Sequence, residues 1–375
     1  MARRSYSRIA WNFEGKITMK KYFVICTLAG TLFSCGDGNL GADLLEEINQ
    51  HQTINNDNMS AFSGRPVVFY NVENLFDTKN DPRTNDEDFT PYGYKEWDEE
   101  RYETKLDRIE DALSEFQKAP LLIGLAEIEN RAVLKDLVKE GDFGQTNYGI
   151  AHFDSPDRRG IDVALLYDED AFTVINSAKI RVRLANNPRF ATRDILYVEG
   201  ELSGGVHTHV FVNHWSSRRE GQKETEHKRL EAAETLRKKV DEILEQDADA
   251  NIIILGDFND HPTDKSLQAV LRAKESGYEG EGDLINLLFD EHQNGEGTSV
   301  HRGDWAVIDQ IIISQAIYDK RSGLGIKGND AEILRDSDLI FRNRSTGEEK
   351  PNATYGGRKY YGGYSDHLPV YIILK

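Results

Sequence analysis

Cysteine is nearly absent: the chain has two in 375 residues, Cys26 and Cys35. That excludes a disulfide framework and a zinc centre built on several thiolates. No internal repeat is evident, and no apolar run is long enough to span a bilayer as a mature helix. A basic excess is missing too. With 46 Lys and Arg against 65 Asp and Glu, the net charge is −19, which argues against broad electrostatic capture of nucleic acid. A cation and a local basic patch would still suffice to hold one scissile phosphate. The length allows one large domain or two ordinary ones. No change of composition divides residues 66–375, so one domain with an N-terminal appendage is expected.

That appendage is legible. Met19-Lys20-Lys21 opens a short basic segment, and Tyr22 to Phe33 is apolar but too short to span. Leu32-Phe33-Ser34-Cys35 resembles a bacterial lipobox, with cleavage before Cys35 and lipid on its thiol, although Phe33 is larger than the residue usual there. The alternative is a plain signal peptide or a buried strand. Residues 1–18 read as an upstream extension, with Met19 as the initiator. The expected organisation is a signal and lipobox over 1–35, a polar tether over 36–65 and a folded domain over 66–375. The implied protein is an exported lipoprotein of a Gram-negative bacterium, monomeric and held to a membrane by lipid, facing the periplasm or displayed on the cell surface. Residues 1–34 carry six basic residues and one acidic, so their removal takes the charge from −19 to −24.

The domain reads as alternating strands and helices. Strands are expected over Pro66–Val72, Leu121–Ile128, Asp162–Tyr167, Phe172–Leu184, Ile195–Leu202, His207–Asn213, Asn251–Leu255, Val307–Ile313 and Val370–Leu374. Leu106, Ile109, Leu113 and Phe116 form a helical stripe. Residues 223–245 form a second helix, with Leu230, Ala233, Leu236, Val240 and Leu244 facing inward. Asn80–Trp97 has no periodicity, and Tyr355–Tyr364 reads as either a stacking loop or a plain hairpin.

Four stretches carry acidic, amide and imidazole groups at the ends of apolar runs: Glu127 in LAEIEN, His214 in VNHWSS, Asp257 and Asn259 in LGDFND, and Asp366–His367 in YSDHLP. Each alone has an ordinary reading as a solvated strand end, a turn or a hydrogen-bonded core histidine. Together they offer oxygen ligands without thiolate, which select Mg²⁺, with Mn²⁺ and Ca²⁺ as alternatives. Asp257 and Asn259 stand two apart and share a side of an extended segment. Asp309, opening another apolar run, can fix the tautomer of a histidine.

In this order the motifs resemble the endonuclease/exonuclease/phosphatase superfamily, of deoxyribonuclease I-like type, over about Pro66 to Lys375. NVENLFD, EIENR and NHWSSRR look most like its bacterial secreted or lipoprotein branch. The resemblance implies an α/β fold, a four-layer αββα sandwich of two packed mixed sheets flanked by helices. It assigns the metal to Glu127, Asn71 and Asp366, and the water-activating pair to Asp257 and Asn259. It makes His367 the phosphoryl-binding imidazole oriented by Asp309, and His214 a donor to the leaving oxygen. Deoxyribonuclease-like members pair the His214 counterpart with a glutamate; here Asp162 is the candidate substitute. Ala126 stands where the family usually has Gln, and Glu129 adds a second acid. Arg218, Arg219, Arg358, Lys359 and Tyr360 are expected to contact substrate, or to be ordinary surface. The implied enzyme is a divalent-metal-dependent nuclease that hydrolyses phosphodiesters by in-line water attack. The alternatives are a phosphatase or phosphodiesterase for small or lipid-linked esters, inositol phosphate or sphingomyelinase-like, and a non-catalytic surface lipoprotein.

Overall fold

The computed structural model describes residues 61–375 except Asn186. Cys35, the segment before it and the expected tether up to residue 60 lie outside the described residues. Packing begins ahead of Pro66, because Phe62 is fully buried.

Two large sheets dominate. In spatial order the first runs Glu332–Ile333, Val370–Ile373, Pro66–Leu75, Leu122–Ile128, Asp162–Asp168, Tyr148–His152. The second runs Phe172–Ile180, Ile195–Leu202, Val206–His214, Asn251–Asp257, Asp309–Ser314, Leu284–Asn286, Ala273–Lys274. Most neighbours are antiparallel, but each sheet has a long parallel pair: Pro66–Leu75 with Leu122–Ile128, and Val206–His214 with Asn251–Asp257. A parallel pair needs a crossover. The helix Glu99–Ser114 lies in the first and the helix Gln222–Gln246 in the second.

Three buried clusters make four layers. Phe69, Leu165, Val198, Leu255 and Ile311 fill the space between the sheets. Ile109, Leu113 and Leu134 pack on the outside of the first sheet, against Val68 and Ile123. Leu236 and Val240 pack on the outside of the second, against Phe211 and Ile254. This is the expected αββα sandwich. Among the described residues no helix is long and apolar enough to cross a membrane.

Some local expectations shift. The strand from Phe172 ends at Ile180, not Leu184, and the edge strand Tyr148–His152 was not foreseen. The long helix buries Arg229, Ala232, Ala233, Leu236, Arg237, Val240 and Ile243, while Leu230 and Leu244 are only partly covered. Its inner face therefore includes two arginines, whose apolar stems pack while their heads find partners. Arg229 reaches Asp260 at 2.7 Å and Arg237 pairs with Asp241.

The sheets approach closely at Gly124, where an added Cβ would lie 3.0 Å from Leu255 Cδ1 and 3.2 Å from Phe69 Cδ2. Gly124→Val should therefore overpack the central layer and lower unfolding free energy by roughly 1–3 kcal/mol, measured by urea denaturation. An unchanged midpoint would show that this layer can give.

Candidate active site

The inner-face rows of the core lead straight to the site. Along a strand, alternate residues share a face. Val67 and Phe69 face the other sheet, so Asn71 does too. Val210 and Val212 lead to His214, and Ile253 and Leu255 lead to Asp257. Ile313 and Ile311 lead back to Asp309. Each row stays apolar in the interior and turns polar at its last position. Parallel pairing puts the ends His214 and Asp257 side by side. Antiparallel pairing sets the start of the next strand, Asp309, against Asp257. Asp366 and His367 arrive just ahead of the strand Val370–Ile373.

Glu127 gets there differently. Leu122 and Ala126 face the inner layer, while Ile123 and Leu125 face the helices. Continued alternation would bury residue 127 under the helices. The pairing instead slips between Ala126 and Ile128, and Ile128 takes the outer position. Glu127 is extruded with φ 67°, in the left-handed region. Glu73, Asn74 and Asn259 share this rare backbone, at φ 53°, 58° and 51°. Non-glycine residues seldom hold it, and four of the eight that do among the described residues lie at or beside the strand ends that carry the site.

The side chains meet. Asn71 Nδ2 donates to Asp257 Oδ2 at 3.2 Å. The Asn259 N–H donates to Asp257 Oδ1 at 2.9 Å, and its amide donates to the Trp215 carbonyl at 3.1 Å. His214 Nε2 lies 3.4 Å from Asp257 Oδ2 and 3.9 Å from Glu127 Oε1. His367 Nδ1 lies 2.7 Å from Asp309 Oδ2. A nitrogen of His367 and oxygens of Asp257 and Asp309 all fall within 4.8 Å of one another. Asp366 stands exposed at the rim, 3.9 Å from His367 Nε2.

Burial and charge divide these groups. Burial pulls His214 down first, then Arg193 and Arg159, so its pKa lies well below the usual histidine value and the ring is neutral. Burial opposes charge on His367 too, but Asp309 and then Asp366 outweigh it and hold its pKa well above the usual value. Asp257 is pushed up to about 7, by burial first and then by Asp309. Glu73, behind the site, is pushed to about 7 by burial and then Asp366. It accepts from the Thr354 and Tyr355 N–H groups at 2.6 and 3.1 Å.

The other expected residues have varied fates. Asp162 does not partner His214: it pairs with His152 Nε2 at 3.1 Å and caps the Ser155 N–H, leaving His214 Nδ1 buried without a hydrogen bond. Arg218 is engaged by Asp260 and Asp264 and by the Asn259 carbonyl, so it braces the loop after Asp257. Arg219 is exposed and without an ion pair among the described residues. Arg358 pairs with Glu96 at 2.7 Å, Lys359 lies over the Tyr361 ring, and Tyr360 is covered by Arg101. These three form a hairpin rim. Trp215 is core, edge-on to Phe258. Sequence reasoning missed Arg193, Asp157 and Arg159. Buried Arg193 donates to the His214 and Trp215 carbonyls and to Asp157, and Arg159 stands 3.9 Å from Glu127. The run DRRGID was the visible signal.

The donor set suits a hard cation. Asp257 and Asp309 bring carboxylate oxygens together beside His367 with no thiolate, Asp309 Oδ1 is buried without a hydrogen bond, and Glu127 stands on the far side of His214 Nε2 at 3.9 Å. Glu127 and Asn71 would hold the ion, with Asp366 at the open side.

The model of the Endonuclease/Exonuclease/phosphatase family matches residues 66–375. Among solved structures, humanized D. rerio TDP2 aligns with a TM-score of 0.51 at 16% identity, over 83% of this chain and 98% of that one. An endonuclease/exonuclease/phosphatase family protein from Bacteroides thetaiotaomicron aligns at 0.50 with 18% identity, over 83% and 94%. A protein from Enterococcus faecalis aligns at 0.50 with 15% identity, over 83% and 99%. These likenesses are of fold. No curated protein matches the chain.

The Asp257 shift has a sign that can be measured. Folding raises it from an ordinary 3.8 to about 7, so between those values the folded chain keeps a proton that the unfolded chain has lost. Its share of stability is present below about pH 4 and lost as pH rises to about 7. In EDTA, wild-type stability should therefore fall more steeply over that window than Asp257→Asn stability, by at most roughly 4 kcal/mol in all. Parallel curves from thermal denaturation would refute the shift.

Proposed function

The chain belongs to the endonuclease/exonuclease/phosphatase family, whose members are metal-dependent phosphoester hydrolases, and we propose that it is a nuclease cleaving phosphodiester bonds by in-line attack of water. The observation that carries this reading is the buried Asp257 set between a neutral and a charged imidazole. Groups whose environments push their pKa values apart take opposite proton roles.

Asp257 is the base. Its two oxygens are held by Asn71 and the Asn259 N–H, which leaves lone pairs for a water. His367, charged through Asp309, donates to the phosphoryl oxygens. His214 is neutral, so it orients the leaving oxygen and the base rather than storing a proton. A divalent cation, Mg²⁺ by the donor chemistry, would be held by Glu127 and Asn71 and would supply charge neutralisation at the phosphoryl group. The lipobox-like LFSC supports an exported, lipid-anchored enzyme of the bacterial secreted branch.

A second reading is favoured by one feature. A hollow of about 660 Å³ beside Glu129 is lined by Asp77, Asp81, Asn130, Asp154 and Asp162 among others. Carboxylates and amides suit the hydroxyls of a sugar or polyol, so a small phosphate ester is the alternative substrate.

Plasmid nicking with Mg²⁺ or EDTA, beside a phosphate-release panel, separates the two. Nicking that EDTA abolishes is expected, and phosphate release alone would favour the small ester. Asp257→Asn and His367→Ala should each lower kcat by about 10²–10³-fold, with the circular dichroism spectrum unchanged. Near-wild-type turnover in either variant would remove the role assignment.

A further inference from the structure

Arg159 is a cation beside Glu127 whose hydrogen-bonding capacity is not taken up among the described residues. Its guanidinium makes no hydrogen bond to any described residue; it has only long ion-pair distances, 3.6 Å to Asp157 and 3.9 Å to Glu127. The side chain is 46% exposed. Its neighbours differ. Arg193 uses its donors on Asp157 and on the His214 and Trp215 carbonyls, and Arg218 uses its own on Asp260, Asp264 and the Asn259 carbonyl. Lys105 is buried with its ammonium on Thr354 Oγ1 and the Tyr364 carbonyl.

The backbone that carries Arg159 is fixed. Its N–H donates to Asp157 Oδ1 at 2.9 Å, while Asp157 Oδ2 is held by Arg193 at 3.0 Å. The Arg158 carbonyl accepts from the Asn85 N–H at 2.7 Å. Gly160 closes the turn at φ 72°, where an added Cβ would lie 2.8 Å from Thr84. A hydrogen-bonded turn thus presents a half-exposed guanidinium beside Glu127 and near His214. Arginine's planar fork matches a phosphate in two-pronged fashion.

We propose that Arg159 is a substrate-binding residue that grips a second negative charge on the phosphate substrate, beyond the single charge of the scissile diester. This rests on the phosphoester-hydrolase reading. The charge has two sources of one chemistry: a phosphate flanking the scissile bond in a polynucleotide, or the extra charge of a terminal phosphomonoester. A cation held by Glu127 would compete for the counter-ion that Arg159 has at 3.9 Å and leave the guanidinium N–H groups for the phosphate.

The test compares wild type, Arg159→Ala and Arg159→Lys on three substrates with Mg²⁺: bis(p-nitrophenyl) phosphate, p-nitrophenyl phosphate and a short oligothymidylate. Charge-assisted hydrogen bonds of this kind correspond to about 10–100-fold in affinity. Arg159→Ala should raise KM by that factor, with the smaller effect on kcat, for the oligothymidylate or the monoester, whichever is the source. The loss on the singly charged diester should be much smaller, and Arg159→Lys should recover part of it. Isothermal titration of inorganic phosphate into the Mg²⁺-loaded protein gives a readout independent of turnover, and Arg159→Ala should weaken it by a similar factor. Equal losses on all three substrates, or unchanged phosphate affinity, would overturn the proposal. Wild-type inactivity on every substrate with phosphate binding still dependent on Arg159 would instead count against the hydrolase reading alone.

Discussion

The pair between Asp309 and His367 is the constraint on which the site depends. Asp309 is fully buried, and its Oδ1 has no hydrogen bond. A carboxylate in that position needs a positive partner, and His367 supplies one at 2.7 Å. Asp309 opens a strand of the second sheet, while His367 precedes a strand of the first. The pair therefore ties the two sheets together at the end where the site lies. Thr298 reinforces it: its hydroxyl accepts from the Asp309 N–H at 3.2 Å, and its carbonyl accepts from the Leu368 N–H at 2.7 Å.

From that pair the proton roles follow. His214 is neutral because burial comes first, with Arg193 and Arg159 adding to it. Burial opposes charge on His367 as well, but there Asp309 and Asp366 outweigh it. Asp257 lies between the two rings and is itself raised by burial and by Asp309. A cation at Glu127 would draw its proton off, since positive charge nearby favours the carboxylate. The arrangement would couple ion binding to ionisation of Asp257.

Much of this was readable before folding. The strand rows ending in Asn71, His214 and Asp257 are period-two patterns whose last member is polar, and the alternation alone puts them on one face. The arginines were not readable. Arg218 looked free for substrate, but Asp260 and Asp264 come to it from 42 and 46 residues away. Arg159 sat inside the run DRRGID, with nothing local to say what it would meet. Which carboxylates neutralise a guanidinium is decided by tertiary proximity, and no local pattern encodes it. The same holds for the helix Gln222–Gln246, whose inner face carries Arg229 and Arg237 in places where a hydrophobic stripe would set leucines. Asp162 failed as a partner for His214 because His152, on the neighbouring strand and ten residues back in sequence, reaches it first.

The slip at Glu127 shows why this carboxylate is not simply another row end. A regular strand would have turned it toward the helices, where Leu134 and Ile109 fill the space. Burying a carboxylate there would cost more than the roughly 1–3 kcal/mol of a strained residue. One extra residue in the strand resolves the conflict: Ile128 closes the outer core, and Glu127 swings to the cleft with a left-handed backbone. The next turn is then free to begin a helix, and Asn130 caps it by accepting from the Ala132 and Val133 N–H groups. The bulge thus satisfies the core, the cap and the site together, and removing the strain would require giving one of them up.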